Sequence, residues 1–599
     1  PGRYKGVELS PIASLRDRAE LMEAQHELSE IKGVTVLIHD QECAAELRRK
    51  RKRGKAAEPA ERVWINERVC EGCGDCGDKS SCLSVRPTET EFGRKTQIHQ
   101  ASCNKDFSCL EGDCPSFLTV VPGKKEKRVA PAPPAGMPLP TPPTGTECSV
   151  RMIGIGGTGV VTVNQVLGMA ALIDGRHVSG LDMTGLSQKG GPVTSDLRIS
   201  AHPVASASKT PAGSVDAYLA FDLLGATAPK NLLTAHAERT VAVVSTGKVA
   251  TGKMVVDTAE RFPELSSALD EVERVTRAER NVYLDAQGLS ERLFGTDVAQ
   301  NMLALGAAWQ RGLLPVSLDA LEAAIRLNGA AVEINLSALA WGRAVVAAPD
   351  AVEAATRPPA EAEPQIELSD EALDLVDRAA GTGDLELRRL VEIRVADLIG
   401  YSGIRYASRY TDAVASAREA EQALAPGETS LARAVASNLH KLMAYKDEYE
   451  VARLHLDTVE RAKLRGEFGP DAKIWFNLHP PILRALGMKR KLKLGRWFMP
   501  FLRMLRGVRG MRGTWADPFG YAKVRRVERE LIREYEGVVA EACELLNAEN
   551  HETAVAIAEL PDTVRGYEEI KLRSVVMYRA QLAALRKRMG RSAARPALV

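Results

Sequence analysis

The sequence predicts a multidomain chain: a small cysteine-rich domain, then a doubly wound α/β domain, then a mostly helical C-terminal domain. Three observations carry that expectation. Seven of the ten cysteines crowd into the 45 residues from Cys70 to Cys114. A glycine-rich turn, Gly154-Ile155-Gly156-Gly157-Thr158-Gly159, lies between a β-type run and an apolar helical run. Beyond residue 368 the apolar positions recur at helical spacing. A length of 599 residues leaves room for about three to five domains. The chain is 45% apolar and 26% charged with a formal net charge of +2, and no apolar run approaches the ~20 residues of a membrane span. No membrane partner is therefore expected. Cys43, Cys148 and Cys543 are too scattered for a disulfide framework, so a reducing cytoplasm fits.

Taken in order, Gly33–Ile38 reads as one buried strand. It is followed by a basic run, Arg48–Arg53, that suits a solvated connector or, as a sharper alternative, an anion site. One strand cannot make a sheet, so residues 1–60 are expected to be the tail of an upstream domain. Residues 61–122 hold the cysteines, flanked by short alternating segments around Val63, Thr96 and Leu118. A domain this small builds little core alone, so whatever the cysteines bind is expected to hold it together.

The cysteine spacing is Cys70-x2-Cys73-x2-Cys76-x5-Cys82, then Cys103-x2-Asp106-x2-Cys109-x4-Cys114-Pro115. Gly72, Gly74 and Gly77 permit a tight backbone, and the Cys-Pro step is that of the bacterial two-cluster ferredoxin run, in which the last cysteine of each half reaches across to the other cluster. The segment is accordingly read as a ferredoxin-like iron–sulfur domain. By the crossing rule Cys70, Cys73, Cys76 and Cys114 hold one [4Fe–4S] cluster. Cys82, Cys103 and Cys109 face a second, with Asp106 where a fourth thiolate is expected. A carboxylate is a harder ligand than a thiolate. The second site is thus open between [4Fe–4S] with an oxygen ligand, [3Fe–4S] with none, and no cluster at all. Zinc ribbons supply two separated Cys pairs rather than a triplet with a Cys-Pro, and nothing resembles the signal peptide of a secreted disulfide scaffold.

Residues 123–146 are Pro- and Ala-rich and read as a semi-rigid polyproline linker. Residues 147–356 form the α/β domain. Its strands are expected at Ser149–Ile153, His177–Leu181, Ala217–Phe221, Thr240–Ser245 and Val282–Asp285. Its helices are expected at Val160–Leu172, Val298–Gly312, Leu318–Leu327 and Val332–Val346. The glycines Gly154, Gly156, Gly157 and Gly159 suit a phosphate at a helix N-terminus, and Asp182 stands where a ribose-binding acid is found in dinucleotide folds. Packing of helix on sheet with no ligand is the plain alternative. The polar loop Thr184–Gly191 is unlike a nicotinamide domain.

Residues 357–367 make a second boundary, and residues 368–599 are helical. Ala444–Glu450 reads mainly as a salt-bridged helix face. Between Arg484 and Arg512 ten Lys or Arg stand without an Asp or Glu, interleaved with Trp497, Phe498, Phe501, Leu502 and Leu505. That pattern suits nucleic acid, a membrane surface, or a helix docked on another domain or an acidic partner.

With these parts in order, the chain resembles the C-terminal portion of the fused indolepyruvate-type 2-oxoacid:ferredoxin oxidoreductases. The resemblance runs through GVTVLIHDQECAAELRRKRKRGK, VCEGCGDCGDKSSCLSV, SCNKDFSCLEGDCPSF, GIGGTGVVTVNQVLG, GLDMTGLSQKGGPVTSDLRIS, KLMAYKDEYEVARL and RGTWADPFGYAKVRRVERELI. It implies that residues 147–356 are the family's gamma-type domain. It also implies a 2-oxoacid oxidatively decarboxylated on thiamine diphosphate with Mg²⁺, an acyl-coenzyme A product, electrons leaving through [4Fe–4S] to ferredoxin, and an oligomer. No Gly-Asp-Gly triplet of a thiamine site occurs here, so that cofactor is expected on an upstream domain and this portion is not expected to act alone. Coenzyme A is the ligand implied for the glycine-rich turn. Two rival readings remain: a flavin- or NAD(P)-dependent iron–sulfur oxidoreductase using Asp182, and an iron–sulfur nucleic-acid-binding protein using Arg484–Arg512.

Overall fold

The computed structural model describes residues 4, 6–112, 114–124, 130–185, 187, 190–357, 368–479 and 491–593. Two compact units are formed, Pro1–Glu58 and Pro59–Val599. In the first, helices span Leu21–Glu30 and Ala44–Lys52, the latter containing most of the basic run. The strand expected at Gly33–Ile38 does not form. Val34, Val36 and Ile38 are exposed, and without a neighbouring strand their backbone has no ladder to join.

The second unit is built on two sheets and a hairpin. In the α/β part β5 (Glu147–Ile155), β6 (His177–Thr184), β7 (Pro192–Ser200), β8 (Ala217–Ala220), β9 (Val241–Ser245) and β10 (Val282–Leu284) run in the order β10-β9-β8-β5-β7-β6. The contacts β5–β8, β8–β9 and β9–β10 are parallel, whereas β7 is antiparallel to both β5 and β6. Every residue of β8 and β9 is buried, as a strand covered on both faces requires. Alternation sends Ala217, Leu219, Val241 and Val243 into one core with Leu167, Leu303 and Leu339. Tyr218, Ala220, Ala242 and Val244 enter a second core with Leu223 and Val272. Helices thus cover both faces, but the sheet is mixed rather than wholly parallel. β7 escaped sequence reading because Thr194, Ser195, Asp196 and Arg198 make it look like a polar loop. The burial is met by a buried ion pair, Arg151 to Asp196 at 2.8 Å.

The Gln300–Gln310 and Val332–Ala347 helices cross at glycines. A Cβ on Gly306 would stand 2.1 Å from the Leu339 carbonyl oxygen, and one on Gly342 would stand 2.0 Å from that of Leu303. Gly342→Ala is therefore expected to force the helices apart and destabilise this part by about 3 kcal/mol, read as a lowered thermal transition. A wild-type transition would mean the crossing can relax.

The cysteine-rich segment supplies β1 (Arg62–Ile65), β4 (Phe117–Val121) and the hairpin of β2 (Val85–Thr90) with β3 (Gly93–Ile98). Its sheet, however, runs β1-β4-β11-β12, and β11 (Lys473–Leu478) and β12 (Leu492–Leu494) come from the C-terminal region. That region is helical otherwise, from Asp370–Ala380 to Glu568–Ala593. The Pro-rich stretch is strapped down where described. Pro138 and Pro131 carbonyls accept from Gln310 Nε2 at 2.7 Å and Trp341 Nε1 at 3.1 Å, and Met137 packs on the main core. It is a docked strap rather than a free spacer.

Two expectations for the C-terminal region are corrected. The helix read across Ser430–Val451 breaks into Ser430–Met443 and Glu448–His455, because Asp447 caps the second by accepting from the Glu450 N–H. Lys446, Asp447 and Glu450 are buried rather than forming a solvated face. Of the Arg484–Arg512 stretch, residues 484–490 lie outside the described residues. The helix Met499–Gly507 that follows buries Leu502 and Leu505 against Trp64, Leu118 and Tyr449, so its apolar face docks within this chain. Among the described residues no helix is long and apolar enough to cross a membrane.

Candidate metal centre

The seven cysteines range from buried to half-buried. Gly72 and Gly74 turn the first loop through the left-handed region, at φ +62° and +82°. They also allow close approach, since a Cβ on Gly72 would meet the Arg94 carbonyl oxygen at 2.3 Å and one on Gly77 that of Val255 at 2.5 Å. The glycines of the motif are thus needed for neighbours as much as for the turn. Burial raises the thiol of Cys73, and the adjacent Cys114 and Cys70 raise it further. Burial, then Cys70, Cys114 and Cys73, likewise lift Cys76 well above the usual range. In the other group burial, Cys103, Cys82 and Asp106 push Cys109 up to about 12. Cys76 also feels Cys109, and Gly112 fills the gap between their backbones, so the groups abut.

The crossing rule expects Cys70, Cys73, Cys76 and Cys114 at one cluster and Cys82, Cys103, Asp106 and Cys109 at another. The residues fit iron–sulfur ligation on three counts. Clustered buried thiols shed their mutual cost when deprotonated onto a metal. Backbone N–H groups already point at sulfur, Gly72 to Cys70 Sγ at 3.3 Å and Lys105 to Cys103 Sγ at 3.4 Å. Cys114 Sγ and Ser116 Oγ lie 2.9 Å apart. Among the described residues no three or more His, Cys, Asp or Glu side chains meet as the ligands of a single metal ion do.

The surroundings of the first group come mainly from the C-terminal region, a feature sequence reading missed. Lys446 Nζ donates to the Cys70 carbonyl at 2.8 Å, Tyr567 OH to that of Val69 at 2.5 Å and Arg565 Nη1 to that of Glu71 at 3.2 Å. Lys491 Nζ donates to the Cys114 carbonyl at 3.2 Å, and His455 Nε2 lies 3.0 Å from that of Pro115. Glu71 is buried against Lys446 at 2.7 Å and Lys571 at 3.9 Å. Burial alone would raise its carboxyl, but Lys446, Lys571 and Lys95 outweigh that and hold it well below the usual range. The second group faces the α/β part: Leu83, beside Cys82, fills the space at Gly190, where a Cβ would stand 1.9 Å from Leu83 Cδ1.

Burial lowers His455 to about 4, against the bond to Pro115, and burial with Arg394 lowers His440 to about 4, against Asp397. Both histidines are neutral in the fold, while the unfolded chain takes up their protons below its ordinary pKa of about 6.5. Their stabilisation is complete above that pH and is lost as the pH falls towards 4, by up to about 3 kcal/mol each. The fall in melting temperature between those limits is expected to shrink in His455→Gln; an unchanged fall would contradict a neutral buried ring.

In the α/β part Gly157 and Gly159 have φ of +86° and +101°, and Gly159 precedes the Val160–Ile173 helix. Gly154 packs on Val160 and Phe221, and the Gly156 N–H donates to the Gly191 carbonyl at 2.7 Å. Asp182 Oδ1 accepts from Asn164 Nδ2 at 2.8 Å and Ser195 Oγ at 2.5 Å. Its strand β6 does not adjoin β5. The arrangement that would offer Asp182 to a ribose is not built. Within the Thr184–Gly191 loop, Leu186, Gln188 and Lys189 lie outside the described residues.

Comparison with known proteins places this architecture. Residues 149–345 match the pyruvate ferredoxin/flavodoxin oxidoreductase family, and residues 387–584 match a family of unknown function, DUF6537. The chain carries a gamma-like portion of a 2-oxoacid:ferredoxin oxidoreductase. Its likeness is to the indolepyruvate type. It is 27% identical over 208 residues to the indolepyruvate oxidoreductase subunit IorB of Archaeoglobus fulgidus, covering 34% of this chain and 98% of the relative. The same-named subunit of Pyrococcus horikoshii is 27% identical over 203 residues, with 33% and 94% covered. A solved structure, pyruvate oxidoreductase subunit PORC from Thermotoga maritima, is 18% identical over 33% of this chain and 96% of its own, with a TM-score of 0.26.

Proposed function

We propose that this chain is the electron-relay and accessory portion of an indolepyruvate- or arylpyruvate-type 2-oxoacid:ferredoxin oxidoreductase, working in the cytoplasm as part of an oligomer. The reaction is oxidative decarboxylation of a 2-oxoacid to an acyl-coenzyme A. Thiamine diphosphate and Mg²⁺ are assigned to another part of that assembly, and ferredoxin accepts the electrons. The observation that carries the proposal is the sorting of the thiols into two abutting groups. Cys70, Cys73, Cys76 and Cys114 are assigned to the first iron–sulfur cluster, and Cys82, Cys103, Asp106 and Cys109 to the second. When bound, such clusters accept and donate single electrons.

The chain's own residues define the path. Val69, Cys70 and Glu71 carbonyls are fixed by Tyr567, Lys446 and Arg565, which keeps the first ligand loop from relaxing. Burial of Cys70, Cys76 and Cys109 keeps water from the thiolates. The glycine-rich turn (Gly154, Gly156, Gly157 and Gly159) is assigned to the phosphate end of coenzyme A, supported by its left-handed glycines at a helix start. The engagement of Asp182 by Asn164 and Ser195 speaks against the nicotinamide or flavin alternative. The test is a reoxidation assay: the anaerobically prepared, dithionite-reduced chain, mixed with oxidised ferredoxin, is expected to regain its visible absorbance in step with ferredoxin reduction. Reoxidation by NAD⁺ or free flavin but not by ferredoxin would contradict the proposal.

A further inference from the structure

The helix Met499–Gly507 sets Leu502 and Leu505 against the core and leaves its other side in solvent. Arg503 and Arg506, one turn apart, lie on that side with Phe501 and Met504, and Arg496 and Trp497 stand in the turn before it, all exposed. Trp497 keeps 71% of its surface in water. No Asp or Glu occurs between residues 480 and 516. Lys493, at the near edge, is matched by Glu61 at 2.6 Å, whereas among the described residues Arg496, Arg503 and Arg506 form no ion pair. A run of charges alone is an ordinary solvated face. Exposed aromatic rings set among arginines are instead the composition of a protein interface.

The patch is joined to the first cysteine group by a chain of rings. His455 Nε2 lies 3.0 Å from the carbonyl oxygen of Pro115, the residue after Cys114. The His455 ring meets Phe476 edge-on at 5.1 Å between centroids, and Phe476 meets Phe498 at 6.3 Å. Phe498 in turn meets Trp497 at 5.9 Å and Phe501 at 5.0 Å. Each step is within the range of packed aromatic pairs. His455 and Phe476 are buried and Phe498 is half-buried, so the rings run through packed protein from the ligand loop to the exposed patch. The backbone makes the same connection. Lys491 donates to the Cys114 carbonyl at 3.2 Å, and β12, which follows it, leads into the patch.

We propose that this face, centred on Trp497, Arg503 and Arg506, is where an acidic ferredoxin docks to take electrons from the group held by Cys70, Cys73, Cys76 and Cys114. This rests on the electron-relay reading above. The unmatched guanidiniums draw in and orient a carrier of net negative charge. Trp497 and Phe501 give it an apolar anchor. One electron leaves the reduced first group, which is thereby oxidised, and reduces the carrier; no bond forms or breaks. The rings are packing between donor and acceptor and are themselves neither oxidised nor reduced. A nucleic acid or an anionic membrane would also meet positive charge here, but neither calls for a path of rings ending at a cysteine loop.

The experiment uses the full anaerobically prepared chain, with iron counted and EPR recorded. Binding of an oxidised acidic ferredoxin is measured by calorimetry at low and high salt, and then the rate at which the reduced chain reduces it. The variants, all at exposed positions, are Arg503→Gln with Arg506→Gln, and Trp497→Ala. Both are expected to keep wild-type iron and EPR signals. The double variant should bind ferredoxin about tenfold more weakly at low salt, reduce it more slowly by a similar factor, and lose most of the salt dependence. Trp497→Ala should weaken binding at both salt concentrations. Wild-type binding and rate in the double variant overturn the inference, as does a double variant that has lost its iron. So does a double variant that no longer binds DNA or phosphatidylserine vesicles but binds ferredoxin as wild type does. Iron-loaded wild-type chain that reduces no ferredoxin at any salt concentration would instead remove the reading beneath it.

Discussion

Replacing Cys76 by Ala is expected to empty the first site and to leave the other group's iron in place. Cys76 is buried, and it also feels Cys109 across the junction. In this assignment each iron of the first site has one protein ligand, and losing the buried Cys76 thiolate is expected to cost the site its iron, about four per chain. Cys114→Ala should do the same, because the crossing assignment makes it the fourth ligand of that site. Cys82→Ala should instead deplete the second. The check is iron and sulfide content beside EPR of the reduced protein. Loss of the same iron from Cys82→Ala and Cys114→Ala would contradict the division into two groups. Full iron content in Cys76→Ala would contradict the ligand assignment itself.

The second large effect is expected at Lys446. Its ammonium holds Glu71 at 2.7 Å and the Cys70 carbonyl at 2.8 Å, and both side chains are more than nine-tenths buried. Lys446→Met leaves Glu71 paired with Lys571 at 3.9 Å. Breaking a buried pair from one side costs about 3–5 kcal/mol, whereas removing both charges together is often close to neutral. Lys446→Met should therefore lower the thermal transition strongly, and Lys446→Met with Glu71→Gln should recover much of the loss. A double variant no better than the single one would show that Lys446 matters for the carbonyl bond rather than for the ion pair. The result bears on residues 387–584, which match a family of unknown function. Lys446, Arg565, Tyr567 and Lys571 all lie in that segment, and all reach the first ligand loop.

Much of this was legible in the sequence. The strands β5, β8, β9 and β10 and the helices around them announce themselves because parallel strands and their covering helices are apolar over long runs. The division of the cysteines into two ligand sets is an expectation from spacing and the Cys-Pro step. What was hidden is hidden for physical reasons. β7 carries Thr194, Ser195 and Asp196 into the interior, where Arg151 pairs with Asp196 and Ser195 bonds Asp182, and that polarity disguises the strand. β11 joins β4 across some 350 residues of chain, and no local pattern encodes such a pairing. Ala444–Glu450 looked solvated since a run of charges usually is. Its partners, Glu71 and Arg512, are remote in sequence and convert it into a buried network. Gly33–Ile38 misled in the other direction: a β-branched run predicts a strand, but a strand exists only where another is beside it.

The account stands on iron bound by Cys70, Cys73, Cys76 and Cys114. The most direct measurement is iron and acid-labile sulfide in the full chain purified without oxygen, with EPR of the dithionite-reduced sample. Iron and sulfide in equal amounts, about four per chain for one cubane or about eight if Asp106 completes the second, with a signal on reduction, are the predicted result. Colourless protein, or protein carrying zinc at those thiols, would contradict it.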